Sequence, residues 1–198
     1  MEQRTGKSLP ALRIIDARSP ERLLIVCPPI AINVWHQYIS EHKPQFGEAK
    51  IINFEALWSM RKQLKKWKPE FILCDEAHRI KGRNSKRSRG LRTLAKYARW
   101  KLALTGTPIE KNIWDAWAIY AFIAPEIFGL WSDFAERYLI YGGFKGKKIV
   151  GTRRLDEFHR KFDPRFYRVL LGGVSKQAVN EHEVYFDLEE SKPAYDSM

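Results

Sequence analysis

The sequence predicts an α/β fold, a parallel sheet with helices on both faces. Two observations predict it. Short, unbroken apolar runs such as Leu23-Leu24-Ile25-Val26-Cys27 and Phe71-Ile72-Leu73-Cys74 have the pattern of strands buried on both faces. Between such runs lie longer stretches with helical spacing, and the two kinds alternate along the chain, as crossover connections require.

Each element has its own reason. Leu9 to Ala17 has helical spacing after Gly6-Lys7-Ser8, with Pro10 in the first turn, where its missing N–H is not needed. Leu23 to Cys27 is a strand stopped by Pro28-Pro29, and Ile32 to His42 a helix with Trp35 and Ile39 on one side. Lys50 to Phe54 reads as a short strand and Ala56 to Lys66 as a basic amphipathic helix. Phe71–Cys74 and Lys101–Leu104 are two further buried strands, with a helix from Ser88 to Ala98 between them and another from Ile113 to Ile123 after Pro108. From Trp131 the character changes: Phe134, Tyr138, Phe158, Phe162, Phe166 and Tyr167 sit in basic, helix-like stretches around a Gly-Gly-Phe-Lys-Gly-Lys-Lys loop at 142–148. Val184 to Leu188 alternates like a late strand. The expected organisation is a main domain over 1–130, a small helical protrusion over 131–172 and an extended connection over 173–198.

Composition narrows the function. The 198 residues are 44% hydrophobic and 13% aromatic, which excludes a wholly disordered chain. No apolar run approaches the ~18 residues that would cross a membrane, and no signal peptide is visible, so no membrane role is expected. Cys27 and Cys74 each close an apolar run, which suits reduced core thiols and a cytoplasmic setting. The net charge is +12, and the ten basic residues between Arg79 and Lys101 have no acidic residue among them. Such a block repels itself unless it faces solvent or a polyanion, and nucleic acid is the partner it favours.

Three short motifs carry chemistry. In Thr5-Gly6-Lys7-Ser8, glycine allows close approach of the backbone to an anion at a helix N-terminus. Lys7 can reach terminal phosphates there and the Ser8 hydroxyl can reach Mg²⁺; an ordinary turn before a helix explains the triplet equally well. Asp75-Glu76 ends a buried strand, where two carboxylates are costly unless a cation or a proton satisfies them. Asp75 could hold Mg²⁺ and Glu76 could orient and deprotonate water, the alternative being an acid pair at a helix N-terminus. Thr105-Gly106-Thr107-Pro108 follows another strand, as a relay between ligands or as a plain strand-to-helix turn. A metal site built on His78 lacks a second His or Cys at suitable spacing, and a metal-dependent nuclease lacks further acidic ligands.

Together these motifs closely resemble superfamily 2 helicases, and within them the Swi/Snf-type double-stranded DNA translocases. The resemblance rests on the Asp75-Glu76-Ala77-His78 box with Arg79-Ile80-Lys81, on Leu104 to Ile109 with Asn112 and Trp117, and on Pro125-Glu126-Ile127-Phe128-Gly129. Val26-Cys27-Pro28 with Trp35 resembles the family's motif Ia, and Asn53-Phe54-Glu55 its motif Ib. The resemblance implies a RecA-like first lobe of an ATP hydrolase that uses Mg²⁺. It gives nucleotide to Thr5, Gly6, Lys7, Ser8 and Asp75, metal to Ser8 and Asp75, and catalysis to Glu76 with Asp75 and Lys7. His78, Thr105 and Thr107 would couple nucleotide state to nucleic acid, and Pro28, Asn53, Lys81, Thr105 and Gly106 would contact it. Double-stranded DNA is the expected partner, with RNA as the open alternative. The family's first strand and its second RecA-like lobe are expected outside these 198 residues, which would leave the isolated chain nearly inactive. The lack of large insertions suggests a compact bacterial or phage type. The rival function is a nucleic-acid-binding remnant of the same fold that no longer hydrolyses ATP.

Overall fold

The apolar runs become the centre of one sheet. β1 (Arg22–Cys27) lies between β2 (Glu48–Asn53) and β3 (Phe71–Asp75), and β4 (Trp100–Leu104) flanks β3; all three pairings are parallel. The structure, a computed structural model, describes residues 7–106, 112–144 and 148–162, and the backbone of 183–184.

Successive strand residues point to opposite faces, so each face has its own apolar cluster. Leu23, Ile25, Cys27, Phe71, Leu73, Leu102 and Leu104 meet α1 (Ser8–Arg18) and α2 (Ile32–His42) through Ala11, Leu12, Ile15 and Trp35. On the other face Leu24, Val26, Ile72, Cys74 and Ala103 meet α3 (Phe54–Ser59), α4 (Arg61–Trp67), α5 (Lys86–Ala95) and α6 (Ile113–Ile123). Gly90 on α5 permits close packing here: a Cβ would stand 3.3 Å from the Leu57 side chain on α3.

Two expectations change. The single helix read over 56–66 is two. Asn53 caps α3 by accepting the Ala56 N–H at 2.7 Å, and the helix ends at Met60, whose ψ is 0°. Each half buries one leucine, Leu57 and Leu64, while Lys62, Lys65 and Lys66 stay in water. The stretch after Trp131, read as helical, also contains a hairpin. α7 (Pro125–Phe128) and α8 (Trp131–Tyr138) lead into β5 (Leu139–Gly142) and β6 (Lys148–Thr152), an antiparallel pair, followed by α9 (Leu155–Phe162). β-Branched and aromatic residues (Ile140, Tyr141, Ile149, Val150) favour the strands, and Gly143, with φ of 73°, supplies a conformation other residues resist. The helical reading around Phe166 and Tyr167 falls outside the described residues.

Phe128 is the hub of an aromatic cluster, with ring centroids 4.9 Å from Tyr120, 5.2 Å from Phe158, 5.5 Å from Phe134 and 5.9 Å from Tyr138. The Tyr120 hydroxyl donates to the Phe162 carbonyl at 2.6 Å, so α6 holds the end of α9. One apolar cluster runs unbroken from the sheet to these rings. A fifth strand, β7 (Glu183–Val184), pairs antiparallel with β4; the rest of the late strand read from sequence, 185–188, falls outside the described residues.

Candidate active site

Parallel strands bring their carboxyl ends to one edge. Pro28 follows β1, Asn53 ends β2, Asp75 ends β3, and Thr105 and Gly106 follow β4. The chain leaves β1 for β2 on one side and returns to β3 on the other, so the strand order switches direction between β1 and β3. Open α/β sheets bind ligands in the crevice outside such a switch point.

Asp75 stands there with both oxygens engaged. Oδ1 accepts the Glu76 backbone N–H at 2.9 Å, and Oδ2 accepts the Trp35 indole N–H at 3.1 Å. Burial raises the Asp75 pKa above its ordinary value, and the bond from Trp35 works against that rise.

Glu76 has left-handed backbone angles, φ 51° and ψ 53°, a conformation that costs a non-glycine residue ~1–3 kcal/mol. The sharp turn sets Glu76 between Lys7 and His78. Oε1 lies 3.2 Å from Lys7 Nζ, and Oε2 lies 3.1 Å from His78 Nδ1. Burial alone would push the Glu76 pKa up. The hydrogen bond from His78 and the charge and hydrogen bond of Lys7 outweigh it and hold the value down to about 2. Thr105 Oγ1 lies 3.4 Å from the same His78 nitrogen and extends the chain to the end of β4.

The fold thus brings Lys7, Asp75, Glu76, His78 and Thr105 together, as the motifs suggest, although Lys7 and Glu76 are 69 positions apart. Ser8 opens α1 beside Lys7. Pro28, Asn53 and Gly106 share the edge, and Lys81 stands exposed after a 3-10 turn, Ala77–Ile80. Thr5, Gly6 and Thr107 lie outside the described residues. Asn53 has a structural task beside any binding one, because its Oδ1 is the cap of α3.

Two features are not visible from the motifs alone. Trp35 reads in the sequence as part of a buried helix face and of the stretch that resembles motif Ia, and neither gives its N–H a partner; the available signal is that N–H, which needs an acceptor wherever an indole is buried. The basic block reads as a bare charged face. Several of its arginines instead lie over rings: Arg83 is 4.9 Å from Trp131, Arg92 5.0 Å from Trp117 and Arg89 5.5 Å from Trp58. Such contacts let the charge stay near water while the stem covers apolar surface.

The donors suit Mg²⁺. Among the described residues no group of three His, Cys, Asp or Glu side chains could hold a metal. A hydroxyl on Ser8 and a carboxylate on Asp75 are hard oxygen donors, and Mg²⁺ is commonly held by one or two protein oxygens with the rest from substrate phosphates and water.

The SNF2-related domain pattern matches residues 47–162, more than half of the sequence, from the start of β2 through α9. The chain belongs to the SNF2-related domain family. The matched stretch includes Asp75 to His78 and Thr105, and it begins after Lys7 and Ser8. The ISWI chromatin-remodeling complex ATPase CHR11 of Arabidopsis thaliana is 31% identical over 126 residues, covering 64% of this chain and 11% of its own. The human SWI/SNF-related matrix-associated actin-dependent regulator of chromatin subfamily A member 1 is 29% identical over 153 residues, covering 77% of this chain and 14% of its own. This SNF2-related chain therefore spans only a small part of the length of these relatives. The Sulfolobus solfataricus SWI2/SNF2 ATPase core in complex with dsDNA superposes with a TM-score of 0.61 at 21% identity, over 81% of this chain and 36% of that one, and shows the RecA-like fold. Both curated relatives are eukaryotic, and they give the bacterial or phage placement no support. No helix among the described residues is long and apolar enough to cross a membrane.

Proposed function

We propose that this chain is the first lobe of an ATP-dependent double-stranded DNA translocase. One observation carries the reading: Lys7, Glu76, His78 and Thr105 form a continuous polar chain at the carboxyl edge of the sheet, beside Asp75. Membership of the SNF2-related domain family supports it, as do the similarities to a chromatin-remodeling ATPase and to a DNA-bound SWI2/SNF2 core.

Each residue has a task. Ser8 and Asp75 would hold Mg²⁺, and Lys7 with the backbone of Thr5 and Gly6 would hold phosphates. Magnesium-bound ATP supplies the phosphoanhydride bond whose hydrolysis drives movement. Lys7 Nζ carries three donors, and a phosphate that draws it away from Glu76 would free Oε1 to accept a proton from water. His78 shares its Nδ1 between Glu76 and Thr105, which links the base to the end of β4. Thr105 and Gly106 share the sheet edge with Pro28 and Asn53, where duplex phosphates would bind, with Lys81 adding charge. Residues 1–130 would form the nucleotide-binding body, 131–172 a protrusion and 173–198 the connection to a second lobe. Buried free thiols at Cys27 and Cys74 support a reducing, cytoplasmic setting.

The test is Glu76→Gln in a protein that spans both lobes. ATP binding should persist, while DNA-stimulated hydrolysis falls ~10²–10⁴-fold, the usual worth of a general base. Hydrolysis surviving within about twofold would remove Glu76 from the role. The isolated chain should hydrolyse ATP poorly, because an arginine finger from the other lobe is worth ~10³–10⁵ in rate.

A further inference from the structure

Trp35 stands outside every task assigned above, and its placement is specific. It sits on the second turn of α2, with 1% of its surface exposed, inside the cluster that includes Cys27, Leu102 and Leu104. Leucine or phenylalanine would satisfy that cluster by packing. Tryptophan adds an N–H donor to a large apolar body, and that N–H goes to Asp75 Oδ2 at 3.1 Å.

The geometry leaves Asp75 little freedom. Its two oxygens are held by donors from two different elements, Oδ1 by the backbone of the Glu76 turn and Oδ2 by α2. Two donors in different directions fix both the rotamer and the plane of the carboxylate. Each ionised oxygen still has a second lone pair, so the carboxylate can bind a cation without giving up either bond. Around metal sites, groups that fasten a ligand in this way set its orientation before the metal arrives.

We propose that Trp35 is a positioning residue for the proposed metal-holding carboxylate, fixing Asp75 from the face of the sheet that α1 and α2 cover. The inference rests on the reading of Asp75 as a Mg²⁺ ligand. It adds a specific claim to it: the indole N–H, and not only the bulk of the ring, maintains metal affinity. Trp35→Phe keeps an aromatic body of nearly the same shape and removes the donor. Among the described residues the indole N–H is bonded to Asp75, while Lys7 and Glu76 are held by each other and by His78.

The experiment measures Mn²⁺ as a paramagnetic stand-in for Mg²⁺, by water-proton relaxation on the 198-residue chain with saturating ATP. ATP affinity is measured separately in EDTA. Trp35→Phe should weaken Mn²⁺ binding about tenfold, as loss of a ligand-orienting partner does, and leave metal-free ATP affinity within about twofold. Equal losses with and without metal would mean that Trp35 only supports the fold and would overturn the inference. Unchanged Mn²⁺ affinity, with ATP still bound, would overturn it while leaving the Asp75 reading intact. No nucleotide-dependent Mn²⁺ binding by the unsubstituted chain would overturn both. If Trp35→Phe does not fold, the indole N–H resonance of Trp35 in the unsubstituted chain decides. A shift on adding Mg²⁺ with ATP, absent in Asp75→Asn, supports the proposal, and an unmoved resonance contradicts it.

Discussion

The sheet edge and the aromatic cluster around Phe128 are built on opposite terms. At the edge, Glu76 holds a strained left-handed conformation, and its carboxylate faces Lys7 and His78 in a cleft that water still reaches. The cluster has no such tension: Phe128, Phe134, Tyr138, Phe158 and Phe162 fill one another's gaps, and Phe134 and Phe158 are wholly buried. Burial of large rings stabilises the fold, and the edge draws on that stability to hold charges and strain where chemistry needs them. Substitutions at the edge should therefore disable without unfolding, and substitutions in the cluster should unfold without specifically disabling.

Glu76→Gln is the sharpest break on the edge side: its ~10²–10⁴-fold loss of hydrolysis in a two-lobed protein should come with little change in the thermal midpoint. A midpoint that collapsed with activity would erase the contrast. On the cluster side, Phe158→Ala should destabilise the chain by about 3–5 kcal/mol, the usual cost of removing a buried ring. Denaturant unfolding measures it, and a loss below about 1 kcal/mol would show that the rings are not the main support.

A smaller effect distinguishes the cluster's charged rim. Glu157 accepts from Arg137 at 2.6 and 3.0 Å and from the Tyr138 hydroxyl at 2.9 Å, and Arg137 above all holds its pKa at about 2, below the ordinary 4.5. A carboxylate whose folded pKa is depressed stabilises the fold above its unfolded pKa and loses that contribution as pH falls through the folded one. Stability should decline between pH 4.5 and about 2, where Glu76 contributes as well as Glu157, and Glu157→Gln should make that decline shallower in an acid titration followed by circular dichroism. An identical acid limb in the variant would mean that the rim contributes nothing. The smallest effect belongs to Lys81→Glu, which should weaken all duplexes alike and make the log–log salt slope shallower by roughly 0.9 for each phosphate that is no longer neutralised. A strong preference among unrelated duplexes would point instead to a sequence reader.

Most of the sheet is legible in the sequence because a strand buried on both faces must be apolar along its buried length, as Leu23–Cys27 of β1, Phe71–Cys74 of β3 and Leu102–Leu104 of β4 are. The motif order places Asp75, Glu76 and Thr105 at strand ends for the same reason. Side-chain direction is not legible. Nothing local marks the Trp35 N–H as bound to Asp75, a partner 40 positions away, or the block arginines as stacked on Trp58, Trp117 and Trp131. The hairpin at Leu139–Thr152 is hidden by its surroundings, since flanking aromatics at helical spacing favour a helical reading. Asn53 shows the same ambiguity at one residue, for an asparagine after a strand can cap a helix as readily as bind a phosphate.

The Lys7–Glu76 pair is proposed to open onto nucleotide phosphate. Titration of the chain with Mg²⁺–ATP tests it most directly, comparing the unsubstituted protein with Lys7→Ala. Loss of a charge-assisted contact to phosphate is worth ~1.5–3 kcal/mol, so affinity should fall roughly ten- to a hundredfold. Equal affinities for the two proteins would contradict the account.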